Sequence, residues 1–349
     1  MAIERVISGQ SGGEGEEQFN YALRPRLLEE CVGQDGVRQK LAIAIEAARK
    51  RGEPLEHILF YGPPGLGKTT LAHVIANEMG AAIRVTSGPA LTKQGDVMGL
   101  LSNIGTGDIL FIDEIHRLSA PVEEFLYPAM EDFKVDFTVD SGLHAKTINF
   151  PLKRFTLIGA TTRAGLLSAP LRGRFGILHH LDFYSPEELT QILRRSAALL
   201  ELHCAEGTLE QIARRSRGTP RIANRLLKRV RDYAQVKGVG KLTEPIVSSA
   251  LQMEQIDPLG LDELDRAFLR ALATVYGGGP AGIEALAATL GEERDTLEDM
   301  VEPYLLQIGF VRRTKRGREI TPAACRHLGL KEKRPEHSSL QQDLFEEDR

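Results

Sequence analysis

One stretch of nine residues constrains the fold of this chain more than any other. It reads GPPGLGKTT and fits the phosphate-binding pattern G-x-x-x-x-G-K-S/T, with Gly62, Gly67, Lys68 and Thr69 at the fixed positions. The five residues before it read as a short buried strand, and those after it continue as a helix with one apolar side. Such a loop can wrap an anion, because its N–H groups converge and the helix N-terminus adds partial positive charge. The pattern predicts an α/β domain with a parallel sheet, rather than an ordinary glycine and proline turn.

The same pattern indicates ATP as the ligand and Mg²⁺ as its cofactor. We expect Lys68 to contact the β- and γ-phosphates and the Thr69 hydroxyl to hold Mg²⁺. A further predicted strand, residues 108–114, is apolar and ends abruptly in Asp113 and Glu114, at the sheet edge where α/β proteins bind ligands. The chemistry assigns Asp113 to hydrated Mg²⁺ and Glu114 to the attacking water, as general base.

Polar and charged residues follow another predicted strand. The strand at 155–162 ends in hydroxyls, and Thr162 there can hold the attacking water or sense the γ-phosphate. The last strand of the sheet is predicted at 180–183. Before it, a loop carries Arg172 and Arg174, which are either solvated surface residues or an arginine finger for a neighbouring subunit.

Two other segments leave alternatives open. Alternating apolar residues at 133–150 predict a β-hairpin, whose apolar residues belong either to the core or to a protruding arm that docks a partner. After a helix capped by Ser185, the chain is expected to be all-helical to about residue 255. Pro220 begins one of these helices, and Arg221 in its first turn is either a surface residue or a contact to the nucleotide.

The C-terminal third has the pattern of a winged helix. Three predicted helices end at about residue 307, and a basic hairpin, the wing, follows at 310–320. The third helix is acidic, which makes it a poor reader of base edges beside phosphates. The wing carries five positive charges and no negative one over residues 312–318, so we expect it to contact DNA phosphates rather than to be only a solvated face.

Composition and the chain ends complete the domain plan. The net charge of −4 requires any DNA contact to come from a local patch, and three scattered cysteines fit reduced thiols in a cytosol. No apolar signal or membrane-length run is present, so we expect a cytoplasmic protein. The predicted parts are a disordered N-terminus (1–18), an ATPase domain (19–184), a small helical domain (185–255), a winged helix (256–330) and a disordered tail (331–349).

The tail contains one short apolar pattern. Gln341–Phe345 reads QQDLF, and an adjacent leucine and phenylalanine beside a glutamine can fill a small hydrophobic pocket. The pentapeptide resembles the motif by which bacterial proteins dock on the replicative sliding clamp. Chance is the alternative, because so loose a pattern arises often.

Several strings together resemble the AAA+ ATPase family, and within it the motors that drive branch migration of Holliday junctions. They are GPPGLGKTT, DEIHRL at 113–118, ATTR at 160–163, PLRGRFG at 170–176 and GTPR at 218–221, followed by the winged helix. The resemblance runs from about residue 23 to residue 330. It implies an ATP-driven motor on double-stranded DNA at four-way junctions, acting in recombination and repair as a homo-hexameric ring.

The resemblance also implies roles that the pattern alone does not supply. It makes Thr162 the first sensor and Arg221 the second, and it prefers Arg174 over Arg172 as the finger. It assigns the 133–150 hairpin to docking of RuvA, the junction-binding partner, and it admits the RuvC resolvase as another partner. The residues implied around the nucleotide are Leu23, Arg24, Gly62, Gly65, Gly67, Lys68, Thr69, Thr70, Glu131, Asp132, Phe133, Tyr184 and Arg221. Those implied on DNA are Arg294, Arg313 and Arg318.

Two other classes of function stay open at this point. A clamp-loader-type ATPase switch usually carries Ser-Arg-Cys at the finger, where this chain has Leu-Arg-Gly-Arg-Phe. A nucleotide-gated winged-helix regulator needs a third helix that reads sequence, and the acidic third helix argues against it.

Overall fold

The computed structural model describes residue 19, residues 21–139 and residues 146–330, which divide into two compact units. The first unit ends at Met253 and the second begins at Glu254. The expectations for the N-terminal 1–18, the hairpin tip and the tail with Gln341–Phe345 lie outside the described residues. Within the described residues, no helix is long and apolar enough to cross a membrane.

The first unit is built on a five-stranded parallel sheet in the order β2-β3-β6-β1-β7. Ile58, Leu59 and Phe60 of β1 are fully buried, as the continuous apolar run predicts for a strand covered on both faces. The strands are β1 (Ile58–Tyr61), β2 (Ile83–Ser87), β3 (Ile109–Asp113), β6 (Thr156–Thr161) and β7 (Ile177–His180).

Alternate side chains of β1 enter two different cores, so helices cover both faces of the sheet. Ile58 and Phe60 pack with the first two helices, whereas Leu59 packs with the third and fourth. The helices up to β7 are α1 (Asp35–Arg51), α2 (Lys68–Met79), α3 (Gln94–Leu101), α4 (Ala120–Glu131) and α5 (Ala169–Gly173).

The predicted strand at 180–183 is wrong by three residues. Strand β7 ends at His180, because its pairing partner β1 ends at Tyr61, opposite His180, and the chain beyond Tyr61 turns into the glycine loop. Leu181 instead approaches the loop, and its carbonyl oxygen lies where a side chain on Gly62 would have to be.

The hairpin predicted at 133–150 is present as an antiparallel pair, β4 (Lys134–Val139) and β5 (Lys146–Pro151). Val135 at its base is fully buried in the core, whereas Phe150 is more than one third exposed. The base of the hairpin therefore belongs to the hydrophobic core. The alternative prediction, a protruding arm that docks a partner, applies to the outer part of the hairpin.

The helical part of the first unit contains α6 (Pro186–Leu199), α7 (Thr208–Arg214), α8 (Pro220–Lys237) and α9 (Glu244–Met253). Ser185 caps α6 through a capping box with Glu188, as predicted. The prediction of an all-helical segment misses one small feature, a parallel pair of two-residue strands, β8 (His203–Cys204) and β9 (Lys241–Leu242).

The second unit is the predicted winged helix. Its helices are α10 (Glu263–Arg270), α11 (Ile283–Leu290), α12 (Arg294–Thr296), α13 (Glu302–Gln307) and α14 (Pro322–His327), and its wing is β10 (Val311–Thr314) with β11 (Gly317–Ile320). The predicted third helix runs through α12 and α13, joined by a π-turn at Leu297–Val301. This wider turn lies just before Pro303, which has no N–H to continue the α-helical pattern.

Candidate functional sites

The glycine loop after β1 has a backbone that only glycine accepts at its key positions. Gly62 has φ of 139°, and a Cβ atom built there would lie 2.5 Å from the carbonyl oxygen of Leu181. Gly65 and Gly67 have φ of 80° and 98°, and α2 begins at the next residue. The sequence spacing therefore follows from geometry, because side chains at these positions would strain the loop.

Lys68 is a buried cation whose described partners are carbonyl oxygens. It is 7% exposed, and its Nζ donates hydrogen bonds of 2.8 Å to the carbonyl oxygens of Gly62 and Pro63. Burial lowers the pKa of Lys68 to about 8, and the charges of Glu114 and Asp113 only partly oppose that effect. A phosphate group would supply the anion that the ammonium lacks.

Asp113 is the last residue of β3, at the carboxyl end of the parallel sheet and beside the glycine loop. Its Oδ1 accepts a hydrogen bond of 2.9 Å from the N–H of Glu114. Burial, followed by the neighbouring charge of Glu114, raises the pKa of Asp113. A partly buried carboxylate with a raised pKa suits a cation, whose charge would stabilise the ionised form, and Thr69 lines the same cleft. The described residues contain no cluster of three or more His, Cys, Asp and Glu side chains, so Mg²⁺ here would depend on hydroxyl, phosphate and water oxygens as well.

Glu114 is held in place by the end of the neighbouring strand β6. Its Oε2 accepts hydrogen bonds from the Thr162 hydroxyl at 3.1 Å and the Thr162 N–H at 3.3 Å. The same oxygen lies 3.2 Å from Nδ1 of His116. Burial alone would raise the pKa of Glu114, but the hydrogen bonds from His116 and Thr162 lower it, so the carboxylate stays ionised.

His116 is a site residue that the sequence reasoning missed. Its side chain is 8% exposed, and its Nδ1 lies 2.9 Å from the Thr161 hydroxyl as well as beside Glu114. Its contact with Glu114 depends on a left-handed backbone at Glu114, where φ is 46°. The signal was present in the DEIHRL string, but nothing in a linear pattern shows that residue i+2 turns back to residue i.

An open cleft collects most of the predicted nucleotide residues. Tyr184 donates a hydrogen bond of 3.2 Å to the Leu66 carbonyl oxygen, and the N–H of Arg221 lies 3.4 Å from the Gly65 carbonyl oxygen. Burial raises the pKa of Tyr184, so it stays a neutral donor. The predicted residues that line the cleft are Leu23, Arg24, Gly65, Gly67, Lys68, Thr69, Thr70, Asp113, Glu114, Thr162, Tyr184 and Arg221.

Arg195 also lines this cleft and was not predicted. Its guanidinium donates to the carbonyl oxygens of Leu23 at 2.6 Å and Arg24 at 3.2 Å, and it pairs with Glu30 at 3.2 Å. It thereby fixes the segment that precedes α1 to helix α6. The sequence offers no signal for it, since Arg194 beside it has the same local pattern.

Five residues predicted at the nucleotide or in catalysis do not line the cleft of their own chain. One is Gly62, whose carbonyl oxygen accepts from Lys68, and the other four are Glu131, Asp132, Phe133 and Arg174. The guanidinium of Arg174 stacks 4.0 Å from the ring centre of Tyr127 and donates to the Pro170 carbonyl oxygen at 2.8 Å. Its Nε lies 3.3 Å from Glu131, which was expected at the nucleotide. Phe133 packs edge-on to Phe155 with ring centres 5.9 Å apart, and Asp132 pairs with Lys134. These residues form a second cluster at the end of α4.

The three arginines predicted on DNA differ in exposure. The side chains of Arg294 and Arg313 are 54% and 60% exposed, as a phosphate contact requires. That of Arg318 is 8% exposed and makes two hydrogen bonds to Glu302, at 2.8 and 2.9 Å. Arg318 was predicted to contact DNA, and its guanidinium is buried and bonded to Glu302 of the acidic third helix.

Comparison with known proteins identifies the family. Three family models match in succession: the Holliday junction DNA helicase RuvB P-loop domain over residues 23–181, the RuvB AAA lid domain over 184–257, and the RuvB C-terminal winged helix domain over 258–329. Together they account for most of the chain.

Solved structures agree with the family models. The Thermotoga maritima RuvB Holliday junction branch migration motor is 51% identical, with a TM-score of 0.81, and the match covers 89% of this chain and 100% of that one. A point mutant of that protein, also 51% identical, matches with a TM-score of 0.83 over 89% of this chain and 99% of the mutant chain. With the phosphate loop, the paired carboxylates and the winged helix all in place, the chain belongs to the RuvB family.

Proposed function

We propose that the chain is an ATP-driven motor that moves duplex DNA and drives Holliday-junction branch migration together with RuvA, in recombination and repair. The observation that carries this proposal is the arrangement at the carboxyl edge of the sheet. A buried lysine with carbonyl partners faces a cleft that also holds an ionised glutamate fixed by the neighbouring strand. That arrangement suits hydrolysis of a phosphoanhydride. Membership of the RuvB family supports junction DNA as the substrate that the motor moves.

The hydrolytic step follows from the contacts of Glu114. In this proposal the nucleotide is ATP. A water oxygen bonds to the γ-phosphorus and loses a proton to the Glu114 carboxylate, while the bond from the γ-phosphorus to the β–γ bridging oxygen breaks and ADP leaves. Thr162 and His116 both hold Oε2 of Glu114, which leaves Oε1 to accept the proton of water. Lys68 balances the charge that grows on the phosphate oxygens, because its charge is not already matched by a bonded carboxylate.

The residues present fit a bound Mg²⁺. Thr69 and Asp113 would hold it, one through a hydroxyl and the other through the partly buried carboxylate whose pKa is raised. When bound, the ion supplies positive charge next to the β- and γ-phosphates. The protein's own part is to orient Asp113, which the N–H of Glu114 does.

A ring of identical subunits explains the second cluster. Arg174, Glu131, Asp132 and Phe133 lie away from the cleft of their own chain, so we infer that they serve the nucleotide of a neighbouring copy in a homo-hexamer. Stacking on Tyr127 and the hydrogen bond to Pro170 restrict the Arg174 side chain, which lowers the entropy lost when the guanidinium meets a phosphate. This arrangement supports Arg174 as the finger in preference to Arg172, which is exposed.

The remaining partners and the domain plan are part of the same proposal. Arg294 and Arg313 contact DNA phosphates, the outer part of the 133–150 hairpin docks RuvA, and the three working domains divide near residues 184 and 255. RuvC and the sliding clamp, through Gln341–Phe345, are further proposed partners, and the protein acts in the cytoplasm. The exposed arginines and the exposed Phe150 support the first two assignments.

One assay tests the function as a whole. A synthetic four-way junction with labelled arms is incubated with the full chain, ATP and Mg²⁺, with and without RuvA, and conversion to duplex products is followed. We expect ATP-dependent conversion that RuvA strongly stimulates, and no conversion by Glu114→Gln. Hydrolysis without any junction conversion, even with RuvA, would favour a clamp-loader-type switch. DNA binding gated by nucleotide, with no turnover, would favour a regulator.

A further inference from the structure

Glu298, in the π-turn of the acidic third helix, is a point where three arginines meet. Its Oε1 lies 3.2 Å from Nη2 of Arg318, 3.5 Å from Nη2 of Arg294 and 3.9 Å from Nη2 of Arg313. Its Oε2 lies 3.3 Å from Nε of Arg294. The Glu298 side chain is only 15% exposed, so these guanidinium groups surround it in place of water.

The charges of this cluster are balanced. Glu302, with a side chain 3% exposed, is fully engaged by Arg318 through two parallel hydrogen bonds, and exposed Glu284 pairs with Arg294 at 3.2 Å. In these contacts three arginines face three carboxylates. Arg318 also donates to Glu298, but it is buried and bonded to Glu302, so the arginines of this cluster that a DNA phosphate can reach are the exposed Arg294 and Arg313.

We propose that Glu298 competes with DNA phosphates for Arg294 and Arg313 and thereby keeps the hold of the winged helix on duplex DNA weak. This inference rests on the proposed role of these two arginines at DNA. A phosphate that binds either guanidinium must replace the Glu298 carboxylate and also approach its negative charge. A motor that moves along duplex has to release phosphates repeatedly, and a built-in competitor lowers the free-energy cost of each release.

The direct test is Glu298→Gln in the full chain. Binding to a labelled mixed-sequence duplex is measured by fluorescence anisotropy, with a non-hydrolysable ATP analogue in every sample. We expect binding about three- to tenfold tighter at low salt, because the contacts of Glu298 with two exposed arginines are removed and each is weak, while Arg318 keeps Glu302 as its partner. The gain should shrink at high salt, where such charges are screened. Glu263→Gln, which removes an exposed charge from α10, is the matched control and should change binding far less.

Double mutants show whether the gain in DNA affinity depends on Arg294 and Arg313. In an Arg313→Ala or Arg294→Ala background, Glu298→Gln should produce a smaller gain than in the wild type. In a Lys315→Ala background the full gain should persist, because Lys315 is an exposed cation in the turn between β10 and β11 and is not one of the three arginines that contact Glu298. Hydrolysis of ATP without DNA should match the wild type, which verifies that the first unit is intact.

Other outcomes separate this inference from the proposed function. If folded Glu298→Gln binds equally or more weakly while Arg313→Ala weakens binding, the competitor role is wrong and the DNA role of Arg313 stands. If neither Arg294→Ala nor Arg313→Ala changes binding, the proposed DNA surface is wrong as well. Should Glu298→Gln fail to fold, Glu284→Gln replaces it, since that side chain is 77% exposed. It should give a smaller gain that depends on Arg294 and not on Arg313, and no gain would overturn the inference.

Discussion

Two buried cations, one in each unit, have opposite surroundings. Lys68 and Arg318 are each 7% exposed. The Lys68 ammonium bonds two backbone carbonyl oxygens, and burial lowers its pKa. The Arg318 guanidinium donates to both oxygens of Glu302 and to one of Glu298, and its hydrogen bonds to Glu302 raise its pKa.

The difference separates a ligand site from a structural pair. A buried charge without a bonded counter-ion destabilises the fold, which makes such a cation a candidate for binding a ligand of opposite charge. A buried charge with two bonded carboxylates is already neutralised, so it is poorly placed to bind a DNA phosphate. Burial alone therefore does not mark a functional cation; the identity of its partners does.

The largest expected effect lies on the Lys68 side of this comparison. Lys68→Ala should abolish ATP hydrolysis, since it removes the charge that meets the phosphates. Glu114→Gln should leave ATP bound but slow its hydrolysis by about 10²- to 10⁴-fold, because it removes the base and keeps the loop. Phosphate release and binding of a fluorescent ATP analogue measure the two steps separately. Near wild-type hydrolysis by Glu114→Gln would show that the base is another group.

A somewhat smaller effect is expected for the finger. Arg174→Ala should lose turnover by on the order of 10³-fold, whereas Arg172→Ala, on the same loop, should lose much less. Mixing Arg174→Ala with Lys68→Ala should restore some activity, because some interfaces then combine an intact loop with an intact finger. If mixed rings form and no ratio restores hydrolysis, Arg174 acts within its own chain.

The smallest expected effect concerns the exposed arginine of the wing. Arg313→Ala should weaken binding equally across DNA sequences and lower the slope of log affinity against log salt by about one unit. Titrations of several duplexes at a series of salt concentrations measure both quantities. A loss confined to one sequence would instead indicate base reading and favour a winged-helix regulator.

The sequence predicts the nucleotide site better than the wing, for a physical reason. The phosphate loop and the carboxylates at 113–114 act through local backbone geometry, so spacing along the chain is enough to find them. Arg318 pairs with residues 16 and 20 positions earlier, across a helix and a strand, and no local pattern records that. The end of β7 likewise depends on where β1 ends, and the contact of His116 depends on the left-handed backbone at Glu114.

The pH dependence of stability follows from the same contrast. In the nucleotide-free chain the folded-state pKa of Lys68 lies near 8 and its ordinary value is 10.5. Below about pH 8 the charged lysine lowers the free energy of unfolding by its full amount. Between about pH 8 and 10.5 this destabilisation decreases, because the folded state has lost the proton and the unfolded state has not. Arg318 does not lose its proton in this range, so it adds no such dependence.

The most direct test is to replace each buried cation by methionine and to compare local stability by hydrogen exchange without nucleotide. Lys68→Met should keep or increase protection in β1 and α2, because an unpaired buried charge is removed, and its advantage should fade between about pH 8 and 10.5. Arg318→Met should lower protection in α13 and β11 by about 3–5 kcal/mol, because the buried carboxylate of Glu302 loses its partner. Loss of protection around Lys68, or unchanged protection around Arg318, would contradict the contrast between a ligand site and a structural pair.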